Sequence, residues 1–466
     1  MKVLCVFGGF LSLVLAMPGQ TFTALHSFDG THGSTPYAGL VQAIDGDLYG
    51  TTFEGGADSA GTVFKVTPRG TLTTLYSFCL QAGCTDGSGP EVGLVQATNG
   101  DLYGTTANGG AYGDGTVFKI TPTGALTTLH SFHGTDGANP AAVLIQASDG
   151  KFYGTTTNGG ANESCDSFGI AGCGTVFSIT SAGDLVTLYS FCSQSGCKDG
   201  AAPAARLVQA TNGNFYGTTA IGGSNNVGTV FEITQAGRLT TLHSFDETDG
   251  YSPQGALVQG TDGSFYGTTR GGGASGDGTV FKITPAGTLT TLHSFDGTDG
   301  AAPEAGLVHA IDGNFYGTTN NNLGTVFRIT PSGKLTTLYS FCSQSHCSDG
   351  SFPYAGLIQD TNGKFYGTTL EGGTSQLGVI FSLSMGLRAF VETQPAAGKV
   401  GAAVKILGTN LTGATSVTFN GTAATFTVLS SSEIRTTVPA GATTGPVEVV
   451  TLGGTPTSNV NFRVNR

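Results

Sequence analysis

Short runs of β-branched and aromatic residues, broken at regular intervals by Gly, Pro, Asn and Asp, occupy the chain from Phe22 to Ser384. The pattern repeats. A Tyr-Gly-Thr-Thr core returns at Tyr49, Tyr103, Tyr153, Tyr216, Tyr266, Tyr316 and Tyr366, and most copies lie fifty residues apart. The sixth copy shows the unit in full: Gly306 to Ala310, Asn314 to Thr319, Gly324 to Thr330 and Leu335 to Phe341 are four runs with the composition of strands. An Asp-Gly or Asn-Gly pair separates the first two runs in every copy, as at Asp45-Gly46, Asn99-Gly100 and Asp312-Gly313. Both positions of a two-residue hairpin turn want positive φ, which these residues tolerate most cheaply. Turns such as Pro331-Ser332-Gly333 join the third and fourth runs, so each repeat is expected to be a four-stranded up-and-down sheet.

Seven such units of about fifty residues predict an all-β chain built as a seven-bladed β-propeller rather than a β-solenoid. The start of the repeats favours a closed ring. A fourth-type strand, Phe22 to Phe28, precedes any first-type strand, and the last repeat, Gly356 to Phe381, lacks its fourth. The N-terminal strand is therefore expected to complete the last sheet. In a four-stranded meander the short regular turns fall at one end, while the longer, variable loops and every cysteine couple fall at the other. After residue 386 the repeat stops. Residues 387–466 carry alternating runs such as Ala403 to Leu407 and Val447 to Val450, which predict a separate immunoglobulin-like β-sandwich.

Composition alters this picture at three points. The start, Met1-Lys2 and then an apolar run from Val3 to Ala16, reads as a secretory signal peptide over residues 1–20, and no later stretch is long enough to span a membrane. With 19 basic against 31 acidic residues and no Lys/Arg cluster, nucleic acid and anionic membranes are excluded as expected partners. Removing Cys5 with the signal leaves four close couples: Cys79 with Cys84, Cys165 with Cys173, Cys192 with Cys197, and Cys342 with Cys347. On an exported chain these read as disulfide loops rather than zinc knuckles.

Comparing the copies supplies the candidate residues. One position of the fourth strand holds His26, Tyr76, His130, Tyr189, His243, His293 and Tyr339, and the identity of the ring tracks the loop that follows, so the ring is expected to contact that loop. The loops share Asp-Gly-x-x-Pro, with Asp86, Asp136, Asp199, Asp249, Asp299 and Asp349 and with His32 in the first copy. Turn capping is the structural reading of these aspartates and calcium the functional one. The first strand carries a glutamine in six copies and His309 in the sixth, and these side chains are expected to serve neighbouring backbone. His309 and Asp360, which both depart from their repeat position, are the candidates for a ligand or catalytic site. No nucleophile elbow, P-loop, paired zinc-type histidines or cofactor motif occurs.

The words Phe315-Tyr316-Gly317-Thr318-Thr319, Gly324-Thr325-Val326-Phe327 and the Leu-Thr-Thr-Leu-His-Ser-Phe of residues 289–295 resemble the GloVer tandem repeat of exported bacterial proteins with varied anchors. Gly408-Thr409-Asn410-Leu411, Val417 to Gly421 and Val438 to Ala442 look like an IPT/TIG domain. The resemblance implies a secreted or cell-surface location and brings no catalytic residues. The chain departs from anchored members in having no sorting helix or hydrophobic tail after the sandwich, which points to secretion or to attachment through a partner. The expectation is a monomeric, non-enzymatic exported protein, without cofactor, that presents disulfide-stiffened loops to a glycan or cell-surface protein. The alternative is an extracellular polysaccharide-active enzyme with its site at the mouth of the central channel. Unlike polar groups with perturbed ionisation at that mouth would favour the enzyme, and a repeated lining would favour binding.

Overall fold

A computed structural model describes residues 20–162, 165 and 171–465. The expected signal peptide lies, but for Gln20, outside them. The described residues form seven repeat sheets, each of four antiparallel strands. In the sixth, Val308–His309, Phe315–Thr319, Thr325–Ile329 and Leu335–Ser340 pair in chain order. The first strand is shorter than its sequence run, with only two residues in the ladder. The seventh sheet takes its outer strand from the other end of the chain. Thr21–Ser27 pairs with Val379–Ser384 in a register running from Thr21 opposite Ser384 to Ser27 opposite Val379.

The Asp-Gly hairpins differ from the expected two-residue turn with positive φ at both positions: only the glycine takes positive φ, and the aspartate or asparagine acts through its side chain. Gly313 sits at φ +79°, Asp312 accepts the amide of Asn314 on Oδ1, and its Oδ2 accepts the Tyr316 hydroxyl at 2.9 Å. The turn thus satisfies the one polar atom of an otherwise buried tyrosine. The next residue of the word is glycine because of crowding. A methyl group on Gly317 would lie 2.6 Å from the ring of Phe327 and 2.8 Å from Leu307.

The cores lie between consecutive sheets. Tyr266, Val280 and Phe295 of the fifth pack with Leu307, Phe315, Phe327 and Ile329 of the sixth, and equivalent clusters join every successive pair. One cluster joins the last sheet to the first, through Tyr366, Ile380 and Phe28 against Leu40, Leu48, Phe64 and Val66. From the third repeat onward each Tyr-Gly-Thr-Thr tyrosine and its predecessor make this seam aromatic, as where Tyr316 stacks on Phe365 at 4.1 Å. Fully burying one such side chain stabilises by about 1.5–3 kcal/mol, so the seams supply the cohesion that single four-stranded sheets lack.

Strand-one glutamines reinforce the seams. Gln96 accepts the amide of Ile44 in the preceding repeat at 2.8 Å and donates to Gly100 O in its own turn. Gln146, Gln209 and Gln359 accept in the same way, and Gln42 accepts the amide of Thr361, linking first repeat to last.

The C-terminal part contains a four-stranded sheet of Glu392–Gln394, Ala403–Leu407, Glu433–Thr437 and Phe426–Val428. A three-stranded sheet of Thr422–Ala423, Ser416–Phe419 and Val447–Val450 shares its core, where Val404, Ile406 and Ile434 meet Val417, Phe419, Val447 and Val449. This unit sits on the Asp-Gly turn end of the repeats. Ser432 Oγ donates to Ile44 O, Lys405 Nζ to Thr98 O and Arg463 to Thr211 O, while Thr361 O accepts the Phe390 amide. Those four acceptors belong to the first, second, fourth and seventh repeats, so the unit straddles the set of sheets.

Candidate functional site

At the outer strands the two repeated candidates prove to be partners. A bulge interrupts the third-to-fourth strand pairing at the same place in every sheet, as between Val326 and Phe327, and redirects the next ring. Tyr76, His130, Tyr189, His243, His293 and Tyr339 then meet Oδ2 of Asp86, Asp136, Asp199, Asp249, Asp299 and Asp349 at 2.6–2.8 Å. The other oxygen, Oδ1, of each aspartate accepts a backbone amide of its own loop, as from Gln194 or Asp246. Both oxygens of these metal candidates thus face donors. One such loop cap serves each of six sheets, and the structure does not bring them together. The first copy, with His32 in place of aspartate, breaks the pair: His32 turns to Asp29 at 2.8 Å, and burial lowers the pKa of His26, whose Nε2 has no partner.

All four cysteine couples are disulfides. Two of them meet, which their separation in sequence conceals. The loop carrying Cys165 and Cys173 folds against Cys192 and Cys197, and the four buried sulfurs lie within 4.8 Å of one another. Bound in disulfides, they are not the free thiolates that a structural zinc ion takes. At the last disulfide loop, Ser345 to Ser348 and Gly373 to Gln376 border a groove, which Gln376 spans by donating to His346 O.

His309 and Asp360 do not form a pair. His309 stacks on Phe315 at 4.8 Å, its pKa lowered by burial, and its charged neighbours are Asp312 and Asp262. Asp360 is 1% exposed, beneath the C-terminal unit. Burial raises it to about 6, and its Oδ2 lacks a hydrogen-bond partner. It also raises its neighbour Glu392, which burial pushes up to about 7. Departure from the repeat here marks a contact made by one copy alone.

The first strands define an axis. A methyl group on Gly39 would lie 3.2 Å from Gly356 O, one on Gly93 2.8 Å from Gly39 O, one on Gly306 2.7 Å from Ala256 O, and one on Gly356 3.2 Å from Gly306 O. Equivalent positions of successive repeats converge like this only near a common centre. Two residues earlier along the strand, away from the capped end, the copies carry Tyr37, Glu91, Ala141, Ala204, Gln254, Glu304 and Tyr354. These side chains engage one another. Glu304 Oε1 pairs with Arg270 at 2.7 Å; burial and the Glu304 charge raise the phenol of Tyr354, whose ring meets Tyr37 edge to face at 5.2 Å, and Tyr37 meets Phe53 at 5.5 Å. Burial raises the Tyr37 phenol, and so do the charges of Glu91, Glu54, Glu304 and Glu371. Burial alone raises Glu91. These residues make an unsymmetrical arc of aromatic rings and carboxylates from the fifth repeat round to the second, while the third and fourth repeats carry Ala141 and Ala204 in this column. The copies differ visibly at this column, but nothing in sequence says that Tyr37, Tyr354 and Glu304 meet.

The model of the Gloeobacter/Verrucomicrobia repeat matches residues 12–171, 164–322 and 258–429. Among curated proteins no relative matches. A fungal alcohol oxidase of the AA5 family, solved in complex with copper, superposes with a TM-score of 0.52 at 13% identity, covering 96% of this chain and 99% of that one. The extracellular domain of a hybrid two-component system from B. thetaiotaomicron superposes with a TM-score of 0.52 at 12% identity, covering 96% of this chain and 58% of that one. Likeness at these identities is one of fold alone.

Proposed function

The chain belongs to the Gloeobacter/Verrucomicrobia repeat family, and from that premise we propose that its seven sheets are the blades of a β-propeller whose open axial mouth binds a glycan. Three observations support the ring: seams between all successive sheets, the glutamine link from first repeat to last, and the outer strand lent by the N-terminus. The C-terminal unit is then an immunoglobulin-like sandwich of the IPT/TIG kind that closes one end of the axis. The disulfides fit an extracellular protein, and no helix among the described residues is long and apolar enough to cross a membrane.

The observation that carries the binding reading is the arc itself. Tyr37, Phe53 and Tyr354 supply aromatic surface for the C–H faces of a sugar in a chain without tryptophan, while Glu91 and Glu304 supply acceptors for its hydroxyls. The site lies inside the elaborated face, which moves the expected contact from the disulfide-stiffened loops to the mouth they surround. A glycan array on the secreted protein tests this, with Tyr354→Ala as the control. Binding that falls by about tenfold or more in the variant supports the reading, as truncation of a central aromatic anchor does. Binding that is unchanged in the variant refutes the mouth.

The arc lacks the repeated lining expected of a binding face, and its unlike polar groups with raised ionisation are those expected of the enzyme. Glu91 has the raised ionisation of a general acid and shares the mouth with Glu304, a carboxylate paired to Arg270. A hydrolase screen separates the readings: turnover of a bound glycan, abolished by Glu91→Gln with binding retained, would replace binding with catalysis.

A further inference from the structure

Arg206 stands alone. At its column of the first strand four repeats have glycine, one Val143 and one Ala256, and the small size is what lets successive strands approach the axis. The fourth repeat places a guanidinium there. Its side chain is exposed to water, yet protein surrounds it closely enough for burial alone to lower its pKa. Its column is the one in which Gly39, Gly93, Gly306 and Gly356 come close to the neighbouring repeats, so the guanidinium starts from the common centre of the first strands. No hydrogen bond or ion pair from any other described residue engages it. The cations at the capped end differ: Lys405 and Arg463 donate to the carbonyls of Thr98 and Thr211.

We infer that Arg206 is the anion anchor of the axial site, and that the glycan bound there ends in a uronic acid whose carboxylate reaches down to the guanidinium. This rests on the glycan reading of the mouth and adds its substrate class. A planar fork of donors with no internal partner matches a carboxylate bidentately. The surrounding charges decide how many anions the ligand carries. Glu54, Glu91, Glu304 and Glu371 all act on Tyr37, so a polyanion laid across the mouth meets repulsion, whereas one terminal carboxylate passes the acidic ring and meets a lone cation. In the column two residues earlier, the third and fourth repeats carry only Ala141 and Ala204, the smallest side chains of that column.

The test uses the secreted full chain and two readouts. In the first, affinity is measured for a trisaccharide ending in glucuronate and for its neutral counterpart ending in glucose, with the wild type, Arg206→Ala and Arg206→Lys. The wild type is expected to prefer the acid by about tenfold to a hundredfold, the range of a hydrogen bond to a charged group. Arg206→Ala abolishes that preference and leaves the neutral sugar's affinity unchanged, and Arg206→Lys restores part of it. Alanine already occupies this position at Ala256, so the variant keeps the fold, which its unfolding midpoint verifies. In the second readout, the Nε–H NMR signal lost in Arg206→Ala is followed during titration with monomeric glucuronate, glucose and sulfate. A saturable shift with glucuronate and none with glucose supports the anchor. An acid preference that survives Arg206→Ala, or a signal indifferent to glucuronate, overturns it, and an equal response to sulfate overturns the carboxylate assignment. If the signal responds but no trisaccharide binds, the anion site stands and the glycan reading falls; neutral sugar bound without acid preference gives the reverse.

Discussion

The outer rim and the axis use the same repeat in opposite ways. At the rim one position always holds His or Tyr, and in six copies it is fastened to an aspartate six or ten residues later at nearly the same distance. In the column two residues before the first-strand glycines, seven equivalent positions hold three residue types besides alanine, and Tyr37, Tyr354 and Glu304 lie against one another across repeats. Sameness at the rim is what a scaffold needs, since every blade must turn its loop identically. Difference at the axis is what a ligand needs, since recognition requires unlike groups around one space.

The largest expected effect comes from breaking the ring where the rim is lent from afar. Deleting residues 21–27 strips the outer strand from Val379–Ser384 and leaves that strand as an unprotected edge beside a seam that Phe28 helps to fill. The variant is expected to lose the cooperative unfolding transition and to run as aggregates on size exclusion. A monomer with native unfolding would show that the repeats close without this strand.

A smaller effect separates scaffold from site at one residue. Gly317→Val places a branched side chain where even one methyl group meets Phe327 at 2.6 Å, and a cost of about 3 kcal/mol is expected in denaturant unfolding. The added side chain points at Phe327 and Leu307 in the packing between strands and not into the arc, to which the sixth repeat contributes Glu304, so the residual folded protein is expected to keep its affinity for the glycan. Stability that stays within about 0.5 kcal/mol of the wild type would mean that the Tyr-Gly-Thr-Thr glycine is not set by packing.

Much of this was legible in the sequence because the chain repeats. Turn pairs, strand composition and the displaced N-terminal strand set out the seven four-stranded sheets and the pairing of Thr21–Ser27 with the last. The contact between the fourth-strand ring and its loop followed from the way His and Tyr tracked loop length. The site was harder to see. Comparing copies singled out His309 and Asp360, and the same comparison two residues from the strand-one core holds Arg206 among glycine, alanine and valine. Nothing local ranks these departures. Burial against the C-terminal unit accounts for Asp360 and a stack on Phe315 accompanies His309, whereas Arg206 has no partner among the described residues. Only three-dimensional convergence distinguishes a residue that contacts another unit from one that starts from the common centre of the first strands. The meeting of two disulfides was hidden for the same reason.

The smallest effect concerns the closed end of the axis and follows from charge. Asp360 is raised to about 6 and Glu392 to about 7, against an ordinary carboxylate value of about 4. A raised carboxyl keeps its proton in the folded protein after the unfolded chain has released it. Between about pH 4 and pH 7 the folded state therefore binds more protons, and stability falls as pH rises through that window before levelling off. Asp360→Asn removes one of the two groups. Its unfolding free energy is expected to decline less steeply over the same window and to exceed the wild type's at pH 8, while glycan affinity at the opposite end of the axis stays as it was. An unchanged slope would mean that Asp360 is not held away from water beneath the C-terminal unit. A changed affinity would mean that the two ends of the axis are coupled, and that the cap does more than close the ring.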